Sequence, residues 1–204
     1  MRKRILLIIA LLTLTYAHSQ ELYFLTGSNF TKYNFASNST RMSMPLQTGT
    51  GMTYELGYVR PLPQQGFSYL FAVTLNNYNS LAGTSANSYE WTTKYLGGQS
   101  ALQYSYTISP LLSVSARSGV NLSTIIYGKQ NIDGAILDLV HQEEFKGLWL
   151  SPFVGVASEY KLSTNNYLSF GYGYSGAINF GNRSEERLSF STQQILFGIH
   201  FNVN

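Results

Sequence analysis

Over residues 167–180 bulky and small side chains alternate. Leu168, Phe170, Tyr172, Tyr174, Ile178 and Phe180 fall on one face, and Ser169, Gly171, Gly173, Ser175, Ala177 and Asn179 on the other. A period of two is the signature of a strand. A half-buried strand in water would turn charged residues outward, yet neither face here carries a charge. The pattern therefore predicts a bulky face against lipid and a small face lining a narrow lumen, the apolar-out, polar-in alternation by which about ten residues cross a membrane.

The same alternation, punctuated by turn residues, predicts strands over residues 22–33, 49–60, 67–77, 91–109, 111–127, 148–162 and 188–204. Phe71, Val73, Leu102, Val114, Leu122, Phe170 and Tyr172 are expected on the lipid side. Connections alternate between long polar stretches and short turns such as Pro61-Leu62-Pro63 and Ser163-Thr164-Asn165-Asn166. Eight strands joined in this way predict an all-β fold, an eight-stranded antiparallel up-and-down transmembrane β-barrel, with the long loops at one end and both termini at the other.

The connection over 128–147 is the longest and carries Asp133, Asp138, Glu143 and Glu144 against Lys129 and Lys146. Ile132, Ala135, Ile136, Leu139 and Val140 stand there at helical spacing. Apolar residues in a loop facing water either pack over the barrel mouth or meet a surface partner. The acids lack the dense spacing of a calcium loop and are expected to be solvated.

Composition agrees with a membrane interface. Charged residues make up 11% of the 204-residue chain, against roughly 25% in soluble domains, while there are 16 Tyr and 12 Phe. With no cysteine, neither disulfides nor thiolate metal sites are available. Residues 1–19 read as a secretory signal peptide, with basic Arg2, Lys3 and Arg4, an apolar run over 5–14, and Ala17-His18-Ser19 before the cut. That leaves residues 20–204 as one barrel domain. Cleavage takes three of the 13 Lys and Arg and none of the 10 Asp and Glu, leaving ten of each sign. No basic footprint for nucleic acid remains.

Three charges stand well inside the strands, Glu55, Arg117 and Glu159, all on the small parity. An eight-stranded barrel is filled by side chains, and a buried charge is tolerated only when paired. The expectation is an Arg117-centred cluster with Gln99 or Gln103 completing its hydrogen bonds, in a plugged lumen.

At the C-terminus, Gln194, Gly198, Ile199, Phe201 and Val203 follow the polar, glycine, apolar, aromatic spacing by which outer-membrane barrels are recognised for assembly, although Asn202-Val203-Asn204 extend past Phe201. Together with the eight strands, this resembles the small outer-membrane barrels typified by OmpX and the transmembrane domain of OmpA, in the barrel-only style of Bacteroidota. The resemblance implies a monomer in the outer membrane of a Gram-negative cell, surrounded by outer-membrane lipid and inserted by the barrel assembly machinery through its last strand.

Motifs for chemistry are weak. Gly171-Tyr172-Gly173-Tyr174-Ser175-Gly176 matches a dinucleotide fingerprint but lies inside a strand, not between strand and helix. His141-Gln142-Glu143 lacks the cysteine pair of zinc deaminases. No catalytic residue, metal or cofactor is expected. The expected role is structural or interactive, with a surface contact through 128–147. A small porin, a lipid-modifying barrel enzyme and a soluble lipocalin-like calyx stay open as alternatives.

Overall fold

The computed structural model describes residues 20–37, 47–84, 87–132, 134–180 and 186–203. The leader expected over 1–19 and the tip at 181–185 lie outside them. Ten strands form: β1 (Gln20–Ser37), β2 (Gln47–Pro61), β3 (Phe67–Asn77), β4 (Ser80–Thr84), β5 (Asn87–Ser109), β6 (Leu112–Ile132), β7 (Ala135–Asp138), β8 (Leu148–Lys161), β9 (Asn166–Asn179) and β10 (Glu186–Val203).

Eight of them close a ring of antiparallel ladders in the order β1, β2, β3, β5, β6, β8, β9, β10 and back to β1. Closure leaves the wall with no open edge, which is what backbone amides in hydrocarbon require. One row of ladder partners runs Phe24, Leu56, Val73, Gly98, Leu122, Leu150, Ile178, Ser189, Asn34. It returns to β1 ten positions on, from 24 to 34. This stagger tilts the strands and fixes the bore of the barrel. It also makes every row climb toward the loop end as it passes from β1 round to β10.

The outer wall is the bulky parity. Phe71, Val73, Leu102, Val114, Leu122, Phe170 and Tyr172 all point outward and are exposed, while Gly171, Gly173, Ser175 and Ala177 face the lumen. A soluble calyx would invert this arrangement. Arg in place of Phe170, at membrane depth, is expected to cost about 2–4 kcal/mol of folding free energy. Urea titration of the barrel folded into vesicles measures this, and Phe170→Arg should lose clearly more than Phe170→Leu; equal losses would mean the face does not meet lipid.

At the loop end the wall continues past the ring. β4 pairs with both β2 and β5, and β7 folds back on β6, so the connection expected over 77–89 is partly strand. The helical spacing over 132–145 does not produce a helix. Ala135–Asp138 pairs with residues 129–132 as a hairpin, Gly134 adopts φ +90°, and its N–H donates to Asn131 Oδ1 at 3.0 Å. Asp-Gly is a strong hairpin-turn signal, and here it overrides the apolar periodicity.

Candidate functional site

The lumen holds three layers. Nearest the short turns is the charged one. Glu55 of β2 is 4% exposed and receives four hydrogen bonds. Arg117 Nη1 donates to Oε1 at 2.9 Å and Nη2 to Oε2 at 3.3 Å, the Tyr23 hydroxyl donates at 2.6 Å, and Gln99 Nε2 at 2.9 Å. A two-point guanidinium contact with further donors is what makes a buried carboxylate tolerable. Arg117 also lies over the Phe153 ring, 5.7 Å from its centroid. Sequence makes room for this. Gly57 is the ladder partner of Tyr23, and a Cβ there would stand 2.3 Å from the Tyr23 ring, so only glycine lets that ring lie across β2 toward Glu55. Gly155 is the ladder partner of Arg117, and a Cβ there would stand in ordinary contact with that side chain, 3.4 Å from Nε.

The expected cluster needs correction in two respects. Gln99 completes the hydrogen bonds of Glu55, not those of Arg117, and Gln103 donates to Ser105 Oγ at 3.0 Å. The acceptor oxygens of the site belong to Glu55, and an amide NH2 group has nothing to offer a guanidinium, which only donates. Glu159 stands outside the ion pair, accepting from Ser113 and Ser115 at 3.4 and 3.1 Å. His200 pairs through Nδ1 with Glu21 and stacks on Tyr23 at 5.2 Å between centroids. A cavity of about 20 Å³ lies between Arg117, Glu159, Ser169 and His200, room for one water.

The middle layer is amide and hydroxyl. Gln194 Nε2 donates to Asn29 Oδ1 at 2.8 Å, Thr53 Oγ1 to Asn76 Oδ1 at 2.6 Å and Asn121 Nδ2 to Thr74 Oγ1 at 2.7 Å, while the hydroxyls of Thr31 and Thr192 meet at 3.1 Å.

The layer under the long loops is an aromatic plug. Tyr33, Tyr78, Tyr95, Trp149 and Phe190 pack together with Ile125 and Leu188, all buried. Trp149 lies 5.0 Å from Phe190 and edge-on to Tyr95 at 5.8 Å between centroids. Its Nε1 donates to the Phe145 carbonyl at 3.0 Å, tying the loop down. Leu139 and Phe145 are buried in this plug and Val140 packs against it, whereas Ile132 is half-buried and Ile136 is 65% exposed. One part of the loop thus packs on the aromatic cluster and the other projects. Asp138, on the projecting hairpin, is held below the usual carboxylate range first by the Val140 N–H and then by His141, 2.6 Å away.

The two histidines of the described residues sit at opposite ends, each against a carboxylate. Among the described residues no group of three His, Asp or Glu side chains is placed to hold a metal ion.

No protein-family model matches the sequence, and no curated protein matches it. Solved structures do match. Neisserial surface protein A is 13% identical, with 88% of this chain and 96% of that chain covered and a TM-score of 0.52. OprG from Pseudomonas aeruginosa is 10% identical, with 92% and 98% covered and a TM-score of 0.52. The chain is an outer-membrane β-barrel by fold. The outer membrane protease OmpT from Escherichia coli, at 6% identity, 92% and 98% coverage and a TM-score of 0.51, shares that architecture as well. At such identities the likeness carries the fold and no activity.

Sequence reasoning missed the plug and the partners Tyr23 and His200 of this barrel. A signal was present. The inner parity of β8 reads Trp149, Ser151, Phe153, Gly155, Ala157, Glu159, bulky toward the loop end and small toward the turns.

Proposed function

We propose that the barrel is a sealed, non-conducting scaffold in the outer membrane of a Gram-negative cell, inserted as a monomer through β10 by the barrel assembly machinery, and acting by presenting its loop end to a partner outside the cell. One observation carries this reading: side chains fill the lumen from the Glu55–Arg117 pair to the Trp149 plug, while the β6–β7 hairpin above it leaves Ile136 and Leu137 exposed. Solvent-facing apolar residues on a loop held by a rigid scaffold suit a contact surface. Among the described residues the cavity beside Arg117 and His200 holds about one water, which supports contact over transport.

The test is the paired substitution Ile136→Glu and Leu137→Glu, which spares the buried Leu139 and Phe145. The variant should fold with unchanged heat-modifiable gel mobility. Cells displaying the wild-type barrel should gain adhesion or cell–cell clumping over a host without it, and cells displaying the variant should not. Equal adhesion by both would remove this surface from the account.

A further inference from the structure

On the lipid-facing wall of β5 and β6 no charge turns outward over residues 96–108 or 112–126, since Arg117 points into the lumen. The first charges met toward the loop end are Lys94 and Lys129, both exposed and both on the outer face. They flank one ring. Lys94 Nζ lies 5.4 Å and Lys129 Nζ 5.5 Å from the centroid of Tyr127, so the two ammonium groups are within about 11 Å of each other. A register shift in the β5–β6 ladder at Lys94/Tyr95 makes this possible: Ile126 and Tyr127 both turn outward there, 49% and 37% exposed, and Gly128 turns inward. Tyr127 therefore stands as an interfacial aromatic bracketed by cations. Among the described residues neither lysine forms an ion pair. Asp138, the ladder partner of Lys129, accepts from the Val140 N–H, meets His141 and is also attracted by the Lys129 charge.

Below this pair the wall is indented. A shallow apolar groove of about 510 Å³ runs from Leu22 on β1 across Leu56 and Val73 to Leu122 on β6, and it is deepest in side-chain terms at Gly98, where a Cβ would have nothing within 4 Å. Ladder rows climb toward the loop end in this direction, so the groove rises toward β6. Lys94 lies four residues above Gly98 on β5, and Tyr127 five above Leu122 on β6.

We infer that Lys94, Tyr127 and Lys129 form a seat for the phosphate of an outer-leaflet glycolipid whose acyl chain lies in the groove below. Among the described residues Lys94 pairs with no carboxylate, and Asp138, shared with the Val140 N–H and His141, offsets only part of the Lys129 charge, so the pair keeps positive charge for a lipid phosphate to meet. The apolar groove supplies the other half of an amphiphile's requirement, and Tyr127 holds both ammonium groups at the headgroup level by cation–π contact. A lysine at an anionic lipid surface strengthens binding about five-fold.

Native mass spectrometry of the folded barrel released from detergent, with added bisphosphorylated lipid A, tests this. The wild type should retain the lipid, and K94Q/K129Q should retain it at least ten-fold more weakly. K32Q, which removes an exposed lysine from β1 ten positions from Leu22 and outside the groove lining, should behave as wild type. Lipid A stripped of phosphate should bind the wild type no better than the intact lipid binds the double variant. Unchanged heat-modifiable mobility confirms that all three proteins are folded. Retention by K94Q/K129Q within two-fold of wild type, equal retention of the dephosphorylated lipid, or displacement by an equal concentration of inorganic phosphate would each overturn the assignment.

Discussion

Replacing Arg117 with Ala is expected to destabilise the barrel by about 3–5 kcal/mol, because it leaves the Glu55 carboxylate buried without its counter-charge. The pair is 12% and 5% exposed at the side chains, so water cannot take over the lost contacts. Tyr23 and Gln99 would still donate to Glu55, which places the loss toward the lower end of that range. The double replacement Glu55→Gln with Arg117→Gln removes both charges together and should cost less than Arg117→Ala alone, since neither member of the pair is left charged without the other. Urea-induced unfolding in vesicles, followed by tryptophan fluorescence, measures both. A single variant as stable as wild type would show that solvent reaches Glu55 and that the layer is not sealed.

Trp149→Ala should cost a similar amount, about 3–5 kcal/mol, by opening a cavity in the plug. Trp149 is fully buried, contacts Tyr95 and Phe190, and ties down the loop through the Phe145 carbonyl. The variant should therefore show a second effect that a simple packing loss does not produce, faster cleavage of residues 139–146 by protease added outside intact cells. Trp149→Phe keeps most of the ring volume and loses mainly the indole hydrogen bond, worth about 1 kcal/mol. If Trp149→Ala and Trp149→Phe lost equal stability, the plug would not depend on the volume of this ring.

Much of the wall was legible in the sequence because a membrane strand obeys one simple rule along its whole length. The segment over 167–180 shows it plainly, and the structure places Phe170 and Tyr172 outward as that rule requires. The interior follows a less local rule. Glu55 and Arg117 could be brought to one height by counting from the turns, but which donors complete the site depends on which rings and glycines lie opposite across the bore. Tyr23 reaches Glu55 only because Gly57 is bare, and nothing within β1 signals that. The plug was only half visible: Trp149 stands on the inner parity of β8, but that Tyr33, Tyr95 and Phe190 meet it follows only from closure of the ring. In the long connection, helical spacing of apolar residues competed with Asp133-Gly134, and strand pairing to the existing edge of β6 decided the outcome.

If side chains seal this barrel, single-channel recording of the pure protein in a planar lipid bilayer will register it. No steady open conductance is expected from the wild type, with the Glu55–Arg117 layer and the Trp149 plug both intact. A stable, large and unselective conductance from correctly folded wild-type protein would contradict it and make the barrel a small porin.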